Sequence, residues 1–354
     1  MTRKEKLIAS MPENIDALFI TNTKNQFYLT GFDYTDGIVI VTREKSYVLA
    51  DFRYIEAAKN EVNDEFEVVM LASRATPLSK LIPSLIGDKK TIGFEDASLS
   101  YEMVEHYKST LADYKFLPAG RIVEALRVKK DALELETIIS AQRIAEKAFD
   151  YILGFITPDK TETEIALELE FAMRKYGAKA TSFDTIAVSG TASALPHGVP
   201  RSVKLEKGFF TLDFGALYKG YCSDMTRTVV IGKADDEMKK IYNTVLTAQL
   251  AALEAYDFGK TGYEIDKVAR DIIYNAGYEG CFGHGLGHGV GMDIHEAPSV
   301  SAAGKTPFEA GHVVTCEPGI YIEGKYGVRI EDMVVFTENS VVNITKSPKN
   351  LIEL

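Results

Sequence analysis

The sequence predicts an α+β chain of two domains, the second assembled from two related αβ halves. Three observations carry this. At 354 residues the chain exceeds what one hydrophobic core usually organises, so two domains are the default. Short apolar runs bounded by turn residues mark strands in the first third. The remainder repeats itself at a spacing of about 100 residues, an internal duplication that composition alone would not reveal.

In chain order, Ala17-Leu18-Phe19-Ile20, Gly37-Ile38-Val39-Ile40-Val41 and Tyr47-Val48-Leu49-Ala50 read as strands, with helices near residues 54–62 and 101–111. These form a smaller α/β domain over residues 1–122. A linker within residues 118–130 then leads into an amphipathic helix whose apolar positions include Leu135, Ile138, Ile139, Ala145, Phe149 and Ile152. That helix opens a second domain over residues 130–354.

Within it, Lys160-Thr161-Glu162-Thr163-Glu164-Ile165 recurs as Lys260-Thr261-Gly262-Tyr263-Glu264-Ile265. Both copies carry a Thr-x-x-Glu capping box, and both predicted helices stop before a glycine, Gly177 or Gly277. Downstream, Thr211-Leu212-Asp213-Phe214-Gly215 recurs as Thr315-Cys316-Glu317-Pro318-Gly319, and Asp224 as Glu331. Asp213 and Asp224 flank one predicted hairpin, Glu317 and Glu331 another that turns through Glu323-Gly324-Lys325. A two-residue loop at Tyr218-Lys219 would set the two aspartates opposite each other; a three-residue loop with a bulge at Gly220 would shift that register.

Each of these carboxylates sits among apolar or β-branched residues, where a bare charge costs several kcal/mol unless paired or metal-bound. With His288, from the glycine-rich run Gly283 to Gly291, they have the composition of a site for two divalent ions. Two such cations cancel four negative charges and acidify a bridging water enough to attack an amide. Oxygen-rich ligation with one histidine suits Mn²⁺, Co²⁺ or Fe²⁺ at least as well as Zn²⁺. The glycine run lacks the lysine of a phosphate loop, so its glycines are read as letting backbone approach the ions.

These five residues, in this order and local sequence, resemble the metallopeptidases with the pita-bread fold, a family that includes methionine aminopeptidase, aminopeptidase P and prolidase. The resemblance implies that Asp213, Asp224, His288, Glu317 and Glu331 bind the metals and that Glu317 doubles as general base, with Mn²⁺ the leading candidate. It assigns His197 to the reacting amide, His295 to the scissile carbonyl and His284 to the substrate pocket. Arg329, two residues before Glu331 and so on its strand face, is suited to pair with a ligand carboxylate. His106 and His312 match nothing catalytic and are read as structural.

Asn25-Gln26-Phe27-Tyr28-Leu29-Thr30-Gly31-Phe32 resembles the non-catalytic first domain of aminopeptidase P, prolidase and creatinase, implying a role in oligomer formation and substrate access. Methionine aminopeptidases lack that domain and the neighbouring His284. Creatinase does not keep all five ligands. The resemblance therefore points to a proline-specific exopeptidase, aminopeptidase or dipeptidase, acting on proline-containing peptides as a homodimer. The alternatives are a metal-deficient binding module without peptidase activity, against which the intact ligand set speaks, and a metallo-aminopeptidase of other specificity.

Composition excludes other classes. A net charge of −11 disfavours nucleic acid as partner. No apolar run approaches ~20 residues, so no membrane span is expected. Three cysteines without a CxxC pair suit a reducing compartment, and the cytoplasm is the expected location. Cys222 and Cys316, beside the acids, are read as small core hydrophobes.

Overall fold

The computed structural model describes residues 1–71 and 76–354 and separates into two compact units, Met1–Arg127 and Val128–Leu354. Among the described residues no helix is long and apolar enough to cross a membrane.

The first unit is built on a six-stranded mixed sheet whose central strand, Ala17–Ile20, pairs antiparallel with Gly37–Thr42 and parallel with Thr91–Phe94. Its apolar runs are buried as a continuous core, with Phe19, Ile40 and Leu49 at zero exposure. Asn25 and Gln26 lie on the helix Thr23–Thr30 and are buried with partners: Asn25 donates to Glu95 Oε1 at 2.6 Å, Gln26 to the carbonyls of Ile20 and Gly37. These polar contacts lock that helix, the unit's second, to its sheet. The helix Ile122–Arg127, inside the expected linker, packs with this unit through buried Val123 and through Arg127, which donates to Asn25 Oδ1.

In the second unit the duplication is visible element by element. The long helices Ala132–Leu153 and Asp236–Ala255 each precede a capped helix, Glu162–Lys175 or Gly262–Asn275. Both capping boxes form: Thr161 and Thr261 accept from the Glu164 and Glu264 amides, and the glutamates reach back. Each box contributes about 1 kcal/mol to its helix. One core surrounds Phe149, Leu169, Phe210 and Phe214; the other surrounds Tyr242, Ile265, Phe308 and Phe336.

Two long hairpins meet between these cores. Gly208–Phe214 pairs with Met225–Ile231, and Val313–Cys316 with Asp332–Phe336. They are stitched to each other, since Glu331 N donates to the Thr226 carbonyl and Thr228 Oγ1 to that of Arg329. The contact is sealed underneath by Arg227, almost wholly buried, which donates to Asp332 Oδ1 at 2.8 Å and to the carbonyls of Thr226, Glu331, Ser347 and Pro348.

The second hairpin has the expected register: the pairs Cys316 with Asp332 and Gly319 with Arg329 place Glu317 across from Glu331. The first does not. Its turn is the two-residue Lys219–Gly220, both with positive φ (47° and 84°), as a type I′ turn requires, and glycine makes this inexpensive at the second position. The turn centre therefore lies one residue beyond Tyr218-Lys219. Asp213 opposes Thr226, and Asp224 lies diagonally from it on the same face.

Candidate metal centre

All nine residues singled out for function, His197, Asp213, Asp224, His284, His288, His295, Glu317, Arg329 and Glu331, line one cavity of roughly 690 Å³ in the second unit. That volume suits a short peptide. Strand alternation delivers the acids: Asp213 and Asp224 come from one hairpin, Glu317 and Glu331 from the other.

Ligand atoms of Asp224, His288 and Glu331 lie within 4.8 Å of one another. His288 Nε2 is 3.5 Å from Asp224 Oδ2 and 3.3 Å from Glu317 Oε1. Its Nδ1 donates to the Gly289 carbonyl, which fixes the ring and turns Nε2 toward the acids. Asp213 Oδ2 accepts from Arg329 Nη2 at 2.6 Å, Glu331 Oε2 from Thr226 Oγ1 at 2.7 Å, and Glu317 Oε1 from Thr315 Oγ1 at 3.2 Å.

Every one of these ties uses one oxygen and leaves another. Asp213 Oδ1 and Glu331 Oε1 are buried with no hydrogen-bond partner. An orphaned carboxylate oxygen costs about 1–3 kcal/mol or more, so a cation among them is the arrangement the burial demands. The donor set, carboxylate oxygens with one imidazole, fits a hard or borderline divalent ion.

Proton affinities carry the same message. Burial, then the charges of Glu331, Asp213 and Glu317, pushes Asp224 well above the usual carboxylate range, and burial with Glu317 and Asp213 does the same to Glu331. Burial also raises Asp213, with Arg329 opposing. For Glu317 burial is overcome by the His288 hydrogen bond and charge, and its carboxyl falls below the usual range. This ordering singles out Glu317 as the acid that most readily stays ionised.

The outer histidines face the same space. His295 stacks edge-on against His288, with ring centroids 4.2 Å apart. His284 Nδ1 donates to the Gly285 carbonyl, so Nε2 accepts from Tyr321 Oη at 2.9 Å. His197 is exposed at the cavity wall.

Sequence reasoning missed Thr226, Thr315 and Tyr321. Tyr321 Oη receives Arg329 Nη1 at 2.8 Å, linking that guanidinium to His284, while Arg329 Nε donates to Thr226 Oγ1. The signal was present, because Thr226 lies two residues after Asp224, Thr315 two before Glu317 and Tyr321 four after it, all on the inward strand face.

One reading changes and another holds. At Gly287 and Gly289 the glycine answers to strand packing rather than to metal approach, since a Cβ at Gly287 would collide with the Thr315 carbonyl and one at Gly289 with that of Ala297. The cysteines do behave as core residues: Cys222 and Cys316 are buried, and their thiols point to the carbonyls of Met292 and Gln249.

Comparison with known proteins bears on the whole chain. Residues 136–338 match the model of metallopeptidase family M24, and residues 3–129 that of the creatinase/prolidase N-terminal domain. An Xaa-Pro dipeptidase of Pyrococcus furiosus is 40% identical over 99% of both chains. Among solved structures, an Xaa-Pro dipeptidase from Bacillus anthracis superposes with a TM-score of 0.94 at 42% identity, covering 99% of each chain. The X-Pro aminopeptidase from Thermotoga maritima gives 0.91 at 38% identity, covering 99% of this chain and all of its own.

Proposed function

This chain belongs to metallopeptidase family M24, and from that premise we propose that it hydrolyses Xaa-Pro peptide bonds with two divalent ions held by Asp213, Asp224, His288, Glu317 and Glu331. The observation that carries the reading is the convergence of four carboxylates, those of Asp224 and Glu331 buried and those of Asp213 and Glu317 largely so, and His288 Nε2 on one cavity, with oxygens of Asp213 and Glu331 left unpartnered.

When bound, the ions supply Lewis acidity that brings the ionisation of a water near neutral pH. The remaining chemistry belongs to the chain. Glu317, held ionised beside His288, takes the proton from the attacking water. His295, whose affinity for a proton is lowered first by burial and then by His288, is neutral and offers a hydrogen bond to the scissile carbonyl. His197 delivers a proton to the leaving nitrogen of proline, which as a tertiary amide has no N–H of its own. Phe183, Ile186, Val199 and Ile294 supply apolar walls for the ring.

Manganese is the proposed native ion, and a homodimer the proposed assembly. Among the described lining residues the one arginine or lysine side chain is Arg329, already engaged by Asp213, Thr226 and Tyr321. Among those described lining residues no cation is left to receive the carboxylate of a dipeptide, which favours an aminopeptidase acting on longer peptides over a dipeptidase.

Assaying Ala-Pro, Met-Pro and Ala-Pro-Ala with metal-free protein plus Mn²⁺, Co²⁺ or Zn²⁺ tests both levels. Turnover of the tripeptide supports the aminopeptidase reading, and cleavage of dipeptides alone replaces it with a prolidase. Absence of turnover with every metal would return the chain to the class of binding modules.

A further inference from the structure

The loop that carries His197 is anchored at both ends to a single buried carboxylate outside the metal centre. Glu162, the first residue of the helix Glu162–Lys175, has no exposed surface. Its Oε1 accepts from Ser189 N at 2.7 Å, Ser189 Oγ at 2.8 Å and Arg201 Nη2 at 2.6 Å; its Oε2 accepts from Arg201 N at 2.9 Å and Arg201 Nε at 2.8 Å. Ser189 ends the strand before the loop, and Arg201 follows it. The Glu162 and Thr163 amides, first-turn donors that a helix cannot satisfy internally, donate to the carbonyls of Val203 and Arg201. The start of one helix therefore grips both ends of residues 190–200. Burial works against the charge on Glu162, but the Arg201 fork and the Ser189 donors hold its carboxyl below the usual range.

The second half does the same job with different chemistry. The position equivalent to Glu162 is Gly262, where a Cβ would collide with the Ser299 carbonyl, and Tyr263 N donates to the Gly304 carbonyl. The segment pressed against that helix start follows His295. Each half thus pins, at the start of its capped helix, a segment that carries or follows a histidine of the cavity, one by a buried ion pair and the other by direct backbone contact.

We propose that Glu162, acting with Arg201 and Ser189, is the positioning residue for His197, closing the loop so that the imidazole stands at a fixed place in the cavity wall. Such a group has no contact with substrate or metal. Its contribution is confined to placing another group, and misplacement by about 1 Å costs on the order of 100-fold in rate. The inference rests on the role given to His197 above.

The test is a double-mutant cycle in the metal-loaded enzyme, with kcat, KM, metal content and melting temperature measured for E162Q, R201A, H197A and the doubles with H197A. E162Q keeps the shape but loses the charge that holds the Arg201 fork, and R201A removes a partly exposed partner with less risk to folding. We expect E162Q and R201A to lower kcat by roughly 10–100-fold with KM and metal content held, and to add little once His197 is absent. R201K should recover little, because a point charge cannot replace the fork. Losses that multiply with that of H197A, or wild-type kcat in folded E162Q or R201A, overturn the proposal. Should E162Q fail to fold, R201A decides alone. If H197A itself turns over normally, the assignment of His197 fails first and takes this inference with it, an outcome distinct from a silent E162Q.

Discussion

Arg329 Nη2 stands 2.6 Å from Asp213 Oδ2 in a pair that is almost completely buried, and the same guanidinium reaches Tyr321 and, through Thr226, Glu331. One planar cation thereby orients an acid from each hairpin. Arg329→Lys keeps the charge and loses the fork, so metal affinity should fall by roughly 10–100-fold, as for other groups that orient a ligand. Isothermal titration with Mn²⁺ measures it; unchanged affinity would mean that Arg329 does not orient the ligands.

Asp224 sits where burial and three other acids oppose its charge. Asp224→Asn should abolish turnover through lost metal and at the same time make the metal-free protein melt higher at neutral pH, because one repulsive charge is gone. Melting curves with and without chelator separate the effects: wild type gains stability from metal, the variant does not. A variant with wild-type turnover and metal content would remove Asp224 from the site.

His312 gives the fold a pH dependence away from the metals. It is buried, its Nδ1 accepts from the Glu309 amide, and burial followed by Lys130 lowers its pKa to about 4. The unfolded chain binds this proton near pH 6.5 and the folded chain only near 4. Stability is therefore unaffected above about pH 6.5 and falls as pH drops through that window, by up to about 3 kcal/mol. His312→Asn should flatten the fall of the urea midpoint between pH 7 and 5; equal slopes would refute it.

Arg227 and Asp332 form the ion pair beneath the hairpin junction, and Lys349 also reaches Asp332 at 2.7 Å. Removing the guanidinium leaves four carbonyls short of a donor, those of Thr226, Glu331 and Ser347 buried and that of Pro348 partly so. Arg227→Ala should cost about 3–5 kcal/mol in urea denaturation, and a loss under about 1 kcal/mol would show that the junction relaxes around the gap.

The duplicated halves were legible because capping boxes and period-two strands are local signals. Thr161 and Thr261 cap as expected, and Glu317 faces Glu331. The Asp213 register was not legible: whether Tyr218 or Gly220 takes part in the turn depends on the twist of the flanking strands, and one residue moves the partner of Asp213 to Thr226. In the first unit the helix Leu78–Ile86 escaped notice, since Pro83 lies within it and reads as a breaker. Thr226, Thr315 and Tyr321 went unnamed for another reason. A hydroxyl near a carboxylate is an ordinary residue until the fold shows which oxygen or guanidinium it meets.

Four acids gathered at the floor of one cavity also impose an order of events. Before cations arrive, the pocket's field repels the carboxylate end of any peptide and draws in small positive ions from a Debye length away, about 8 Å at physiological salt. Charging the site therefore comes before feeding it, because the ions that supply the Lewis acidity also cancel that repulsion.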